Sequence, residues 1–301
     1  MSTIDKIKEL KRERNAVILA HYYVEDEVQA IADYVGDSFY LSKIAAKEQA
    51  DVICFCGVSF MGESAKILSP QKTVIMPDMQ ADCPMAHMAD IEKIQKLREE
   101  YEDLAVVCYI NSTAELKTYS DVCVTSSNAL KIVRKLPNQH IYFIPDENLG
   151  RYVASQVPEK EFIFNDGFCH VHKDIAAEHI KQARQAHPHA QVLVHPECTP
   201  DVAEMADYIG STSGIIDYAT ASEAQEFIIC TEVGVLYELQ QKNPGKRFYP
   251  AGHQQFCPNM KLVTLEKVAD ALEQMTNTVE MDEQVRLLAN KPLERMLELG
   301  R

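Results

Sequence analysis

Apolar positions along this chain follow two alternating rhythms. Short runs rich in Val and Ile (VILAH, DVICFCG, TVIMP, then AVVCYI, QVLVH and FIICT) alternate with stretches such as VQAIADYV and SFMGESAKIL, where apolar residues recur at helical spacing. Unbroken apolar runs predict strands covered on both faces, and helical patterns between them predict βαβ units with parallel sheets. The opening segment, TIDKIKELKRE, and the closing ones, VTLEKVADALEQM and DEQVRLLANKPLERMLEL, read as amphipathic helices packed on the outside.

The pattern repeats. Three of the apolar runs end in a polar ring residue, at His21, Tyr109 and His195, with spacings of 88 and 86 residues. A hydroxyl residue follows each at an offset of 17, namely Ser38, Ser126 and Thr212. Cys83, Cys169 and Cys257 continue the series at offsets of 62, 60 and 62. A period of about 87 residues with matched punctuation predicts three similar domains. The expected fold is α/β: three three-layer αβα domains, each with a small parallel sheet, around a pseudo-threefold axis with the site at its centre. The domains fall at 1–86 (joined by 265–301), 87–172 and 173–264. In such sheets functional residues sit at the carboxyl ends of strands, where the three ring residues fall.

Composition narrows the function. Acidic residues outnumber basic ones 45 to 30, giving a net charge of −15, and no Lys/Arg cluster forms a nucleic-acid footprint. No stretch approaches the roughly 18 apolar residues of a membrane span, and the charged N-terminus has no signal-peptide pattern, so a cytoplasmic protein is expected. Nine cysteines in a reducing compartment favour buried thiols, metal ligation or redox chemistry over disulfides. Cys54, Cys108, Cys123 and Cys230 lie inside apolar runs and read as core, Cys56 fits either role, and Cys198 has no counterpart in the repeat.

Equivalent loops of three repeats would bring Cys83, Cys169 and Cys257 together. Three thiolates suit a [4Fe–4S] cluster with one iron left open, or a Cys₃ zinc site. An open iron acts as a Lewis acid and calls for acids and bases beside it. Each central strand end offers a matched pair two residues apart, hence on one side of the pleat: His21/Tyr23, Tyr109/Asn111 and His195/Glu197. Ser38, Ser126 and Thr212 precede helical patterns; they read as N-caps, and their helix N-termini as neutral donors for phosphate and carboxylate. No GxGxxG or GxxxxGK[ST] motif is present.

The strings LAHYY, GDSFYLS, CGVSFMGESAKIL, PDMQADCPMA, YINSTAELK, DVCVTSSNA, IPDENLG, VHPEC, GSTSG and TEVG, with the loop around Cys257, closely resemble the quinolinate synthase A family in its short form. The resemblance covers about residues 18–275, in order, and no motif position departs from it. It implies condensation of iminoaspartate with dihydroxyacetone phosphate to quinolinate, an early step of NAD biosynthesis. It implies a [4Fe–4S] cluster on Cys83, Cys169 and Cys257, the second of which lacks the proline that follows the other two. It also implies substrate contacts at His21, Tyr23, Ser38, Tyr109, Asn111, Ser126, His195, Glu197, Ser211, Thr212 and Met260. Glu197 with Tyr23 is expected to manage proton transfers, Tyr109 to stand beside them, and His21 and His195 to hydrogen-bond substrate oxygens. Coupling to an aspartate oxidase or dehydrogenase would supply the labile iminoaspartate. An Fe–S dehydratase acting on a hydroxy acid and an Fe–S electron carrier are the rival classes.

Overall fold

The computed structural model describes residues 2–252 and 254–301. It contains three four-stranded parallel sheets flanked by helices. The strands are β1 (Ala16–His21), β2 (Tyr34–Gly36), β3 (Val52–Cys56) and β4 (Thr73–Ile75); β5 (Ala105–Tyr109), β6 (Val122–Val124), β7 (His140–Ile144) and β8 (Glu161–Phe164); and β9 (Gln191–Val194), β10 (Tyr208–Ile209), β11 (Glu226–Cys230) and β12 (Arg247–Pro250). The sheet orders are β2-β1-β3-β4, β6-β5-β7-β8 and β10-β9-β11-β12, the same topology three times. Central strands are buried along nearly their whole length, as their unbroken apolar sequences require.

The repeat is written into the polar contacts as well. At the start of each first strand a carboxylate accepts a strand amide: Asp33 from Ile18 at 2.8 Å, Asp121 from Val106 at 2.7 Å and Asp207 from Val192 at 2.7 Å. Each pairs with a cation, respectively Lys11, Arg98 and Arg184. Three lysines cap helix C-termini by donating to orphan carbonyls. Lys72 reaches those of Glu48 and Ala50, Lys160 those of Leu136 and Asn138, and Lys246 those of Ala219 and Ser222.

Two expectations about local structure are corrected. The helical reading of VQAIADYV gives only a short helix, Asp26–Ile31, after which Ala32 turns extended and β2 begins. Edge strands of two or three residues carry too little periodicity to register. Nor are Ser38 and Thr212 the N-caps of their helices. Asp37 and Ser211 hold that place, taking the Tyr40 and Gly214 amides, so Ser38 and Thr212 open the helices Ser38–Lys47 and Thr212–Ala221. Ser126 lies three residues before the helix Ala129–Lys135.

One continuous core joins the first two sheets and takes in the C-terminal helices. The third sheet has a separate core on each face. Of the C-terminal segment, the helix Leu265–Gln274 packs on the N-terminal helix Thr3–Glu13 and on β3. The helix Glu283–Leu299 lies against Ser59–Leu68 of the first repeat and against Ala114–Thr118, β6 and Ala129–Lys135 of the second. Cys54, Cys56, Cys108, Cys123 and Cys230 are buried within strands, and Cys198 is buried with its thiol on the Cys230 carbonyl.

Candidate active site

In each sheet the chain leaves the first strand in one direction and the third in the other, so a crevice opens between their carboxyl ends. The three crevices share one cavity with an empty volume of about 750 Å³. Its wall contains His21, Tyr23, Ser38, Tyr109, Asn111, Ser126, His195, Glu197, Thr212 and Met260, together with Cys83, Cys169 and Cys257. Of the expected residues only Ser211 stays out of the wall, because its hydroxyl is spent on the Gly214 amide as a helix cap.

The two strand-end histidines are built alike. The Tyr23 amide donates to His21 Nδ1 at 3.2 Å and the Glu197 amide to His195 Nδ1 at 3.3 Å. With Nδ1 accepting, each neutral ring carries its proton on Nε2. Burial depresses both rings to about 3, against the pull of the Glu197 carboxylate, so both stay neutral at working pH. His195 Nε2 lies 3.2 Å from the Ser126 hydroxyl.

Glu197 is buried yet held at about 2. Desolvation alone would raise it; the His172 and His195 rings, and hydrogen bonds from His172 and Tyr109, more than offset that cost. His172 Nδ1 sits 2.6 Å from Glu197 Oε2, and its other nitrogen is 2.8 Å from the Thr231 hydroxyl. Thr231 contacts the Tyr23 hydroxyl at 2.9 Å, and Tyr23 contacts Thr212 at 2.6 Å. An unbroken hydrogen-bonded path therefore runs from Glu197 through His172, Thr231 and Tyr23 to Thr212. Sequence reading missed His172 and Thr231. The signal in GFCHVH was a histidine three residues after Cys169, which turns inward only because the helix His170–Lys173 forms there. Asn111 Oδ1 is buried with no protein partner, which leaves it for a ligand.

The three thiols are half-buried, and each sulfur accepts backbone N–H groups from the turn that follows it. Met85 and Ala86 donate to Cys83, His172 to Cys169, and Asn259 and Met260 to Cys257. Burial, and then the neighbouring Cys257, push Cys83 up to about 12; burial likewise raises Cys169 and Cys257. Three desolvated thiols with amide donors already aimed at sulfur fit a cationic iron–sulfur core, which would supply the charge that favours thiolate. Cys169, His172 and Glu197 also form a tight group, with ligand atoms all within 4.8 Å of one another.

A cavity of this kind, with polar and titratable side chains set among apolar ones at the strand ends of three αβα repeats, defines an α/β enzyme with a thiol-lined centre. The chain belongs to the family described as quinolinate synthetase A protein, whose profile matches residues 5–298. It is 55% identical over 295 residues to the quinolinate synthase of Caldicellulosiruptor saccharolyticus, covering 98% of this chain and 97% of that one. To the quinolinate synthase of Clostridioides difficile it is 51% identical over 295 residues, with 98% and 97% covered. Its identity to that of Clostridium perfringens is 49% over 300 residues, with both chains covered in full.

Proposed function

We propose that this chain condenses iminoaspartate with dihydroxyacetone phosphate to quinolinate, releasing phosphate and two waters, in de novo NAD biosynthesis. Atoms and electrons balance without an oxidant or reductant, so the site needs acids, bases and an electrophile. Cys83, Cys169 and Cys257 would hold a [4Fe–4S] cluster, which when bound supplies a Lewis-acidic iron at its open position.

The chain's own residues do the rest. The Nε2–H groups of His21 and His195 are neutral donors for carboxylate or carbonyl oxygens. Ser38 and Thr212, at the first positions of their helices, add hydroxyls and helix N-terminal amides for phosphate and carboxylate. The open Asn111 amide suits the substrate nitrogen. Ionised Glu197 takes a proton, and the path through His172, Thr231 and Tyr23 carries one to or from Thr212. Met260 and Tyr109 close the wall and exclude water from reactive intermediates.

The observation that carries this reading is the convergence of the three repeat-related cysteines and the three strand-end pairs on one cavity, in a chain of this family. The test is anaerobic turnover: reconstituted protein with iminoaspartate generated in place and dihydroxyacetone phosphate, beside Cys257→Ser. Quinolinate from the unmodified protein alone is expected. Its absence from protein with verified iron and sulfide would overturn the reading in favour of a hydroxy-acid dehydratase.

A further inference from the structure

Each of the three cavity cysteines gives its own backbone amide to a carboxylate. The Cys83 amide donates to Asp82 at 2.8 Å, the Cys169 amide to Asp146 at 3.1 Å and the Cys257 amide to Glu232 at 3.0 Å. Asp146 and Glu232 are repeat equivalents, each standing two residues beyond the end of its strand, β7 or β11. Both are essentially buried, at 0% and 1% exposure. In both, the second oxygen takes an amide from the segment that follows the strand: Leu149, in the first turn of the helix Glu147–Gln156 that Asp146 caps, donates to Asp146 at 2.7 Å, and Gly234 to Glu232 at 2.6 Å. In the first repeat the equivalent position is Val58, and the loop supplies the carboxylate itself through Asp82, which the Ser59 hydroxyl ties to the exit of β3.

A buried carboxylate is costly and persists where its oxygens are filled. Here they are filled from two sides, by the exit of a central strand and by the loop bearing Cys169 or Cys257. Those segments also meet through the Glu147 amide on the Gly167 carbonyl and the Val233 amide on the Gln255 carbonyl, both at 2.8 Å. The glycines nearby fit this arrangement. A Cβ at Gly234 would lie 2.8 Å from Glu232 Oε2 and 2.6 Å from the Tyr22 carbonyl. A Cβ at Gly167 would lie 2.5 Å from the Pro145 carbonyl, beside Asp146. Lys261, 3.5 Å from Glu232, belongs to the Cys257 segment and adds a further tie.

We infer that Asp146 and Glu232 are positioning residues that strap the Cys169 and Cys257 loops to the sheets and so set the sulfur positions for ligation. The inference rests on the reading that these cysteines hold the cluster. Each strap also takes the cysteine amide away from other acceptors, leaving the sulfur to the amides that follow it. Asn or Gln in these places keeps the shape but sets an NH₂ group against an N–H donor, so one tie must open.

The test compares full-length Asp146→Asn, Glu232→Gln and the comparator Asp121→Asn, whose carboxylate holds a strand amide away from the cavity. Cysteine alkylation in the cluster-free protein, resolved by mass spectrometry, should quicken roughly ten-fold at Cys169 alone in Asp146→Asn and at Cys257 alone in Glu232→Gln, the effect of one buried donor left unmade. After reconstitution, both variants should lose iron to a chelator faster than the unmodified protein. Asp121→Asn should lower Tm and leave both rates unchanged. Equal alkylation rates at the two cysteines in all proteins, or the same acceleration in Asp121→Asn, would overturn the inference. Residue-specific acceleration in a protein that binds no iron or sulfide would keep the straps and overturn the cluster reading instead.

Discussion

At the residue scale the site turns on which groups stay neutral and which stay charged. Glu197 is a cavity carboxylate held ionised despite its burial, so Glu197→Gln keeps the shape and removes the proposed base. Turnover should fall by about 10²–10⁴ while the cluster's visible and electron paramagnetic resonance spectra stay as in the parent. Loss of the cluster in that variant would assign Glu197 to ligation. His21 makes a second case, through linkage. Its folded pKa of about 3 lies below its ordinary 6.5, so below pH 6.5 the unfolded chain binds a proton that the folded chain does not. Stability from this group is therefore whole above pH 6.5 and drains away as pH falls toward 3. Between pH 7.5 and 5 the unmodified protein should lose about 2 kcal/mol that His21→Gln does not lose, measured by urea unfolding. Equal losses would mean that His21 is protonated in the fold. Ring residues and cysteines were legible because they punctuate a repeat. His172, Thr231, Asp146 and Glu232 were not, because each acts through a partner distant in sequence that only packing supplies.

At the element scale, strands and long helices were readable because their periodicity is dictated by burial. SFMGESAKIL forms Ser59–Leu68 as its spacing predicts, and the apolar runs form the central strands. The short edge strands and the true N-caps were not, since a cap is settled by which side chain reaches the third amide, Asp37 rather than Ser38. The capping lysines belong here too. Lys160 donates to the Leu136 carbonyl at 2.7 Å and the Asn138 carbonyl at 2.6 Å, closing the end of a helix that β8 cannot reach. Lys160→Met keeps the apolar stem and strands both acceptors. It should cost about 1–3 kcal/mol of stability, read as a lower urea midpoint at unchanged slope, with turnover per folded molecule unaffected. An unmoved midpoint would show that water replaces the ammonium.

At the scale of the whole molecule a protein of charge −15 would have to admit the two anionic substrates proposed for it. Among the described residues no Lys or Arg lines the cavity, so its attraction for anions comes from hydroxyls, imidazole N–H groups and helix N-termini, all short-ranged. The nearby groove that shares Asp37 with the cavity does carry Lys43, Lys131 and Lys242, but each is engaged. Lys242 pairs with Glu238 at 3.1 Å, Lys131 donates to the Gly300 carbonyl at 3.2 Å, and Lys43 lies over the Phe39 ring at 4.5 Å. The long-range field on an approaching substrate is then repulsive, and salt screens that field while leaving contacts inside the cavity nearly untouched. Raising ionic strength from about 10 mM to about 200 mM, where the Debye length shrinks from roughly 30 Å to below 10 Å, should therefore raise kcat/KM a few-fold and leave kcat unchanged. Steady-state turnover across a salt series measures both. A kcat/KM that falls with salt would mean that the groove lysines focus anions despite their partners, and would move the substrate entrance to that face.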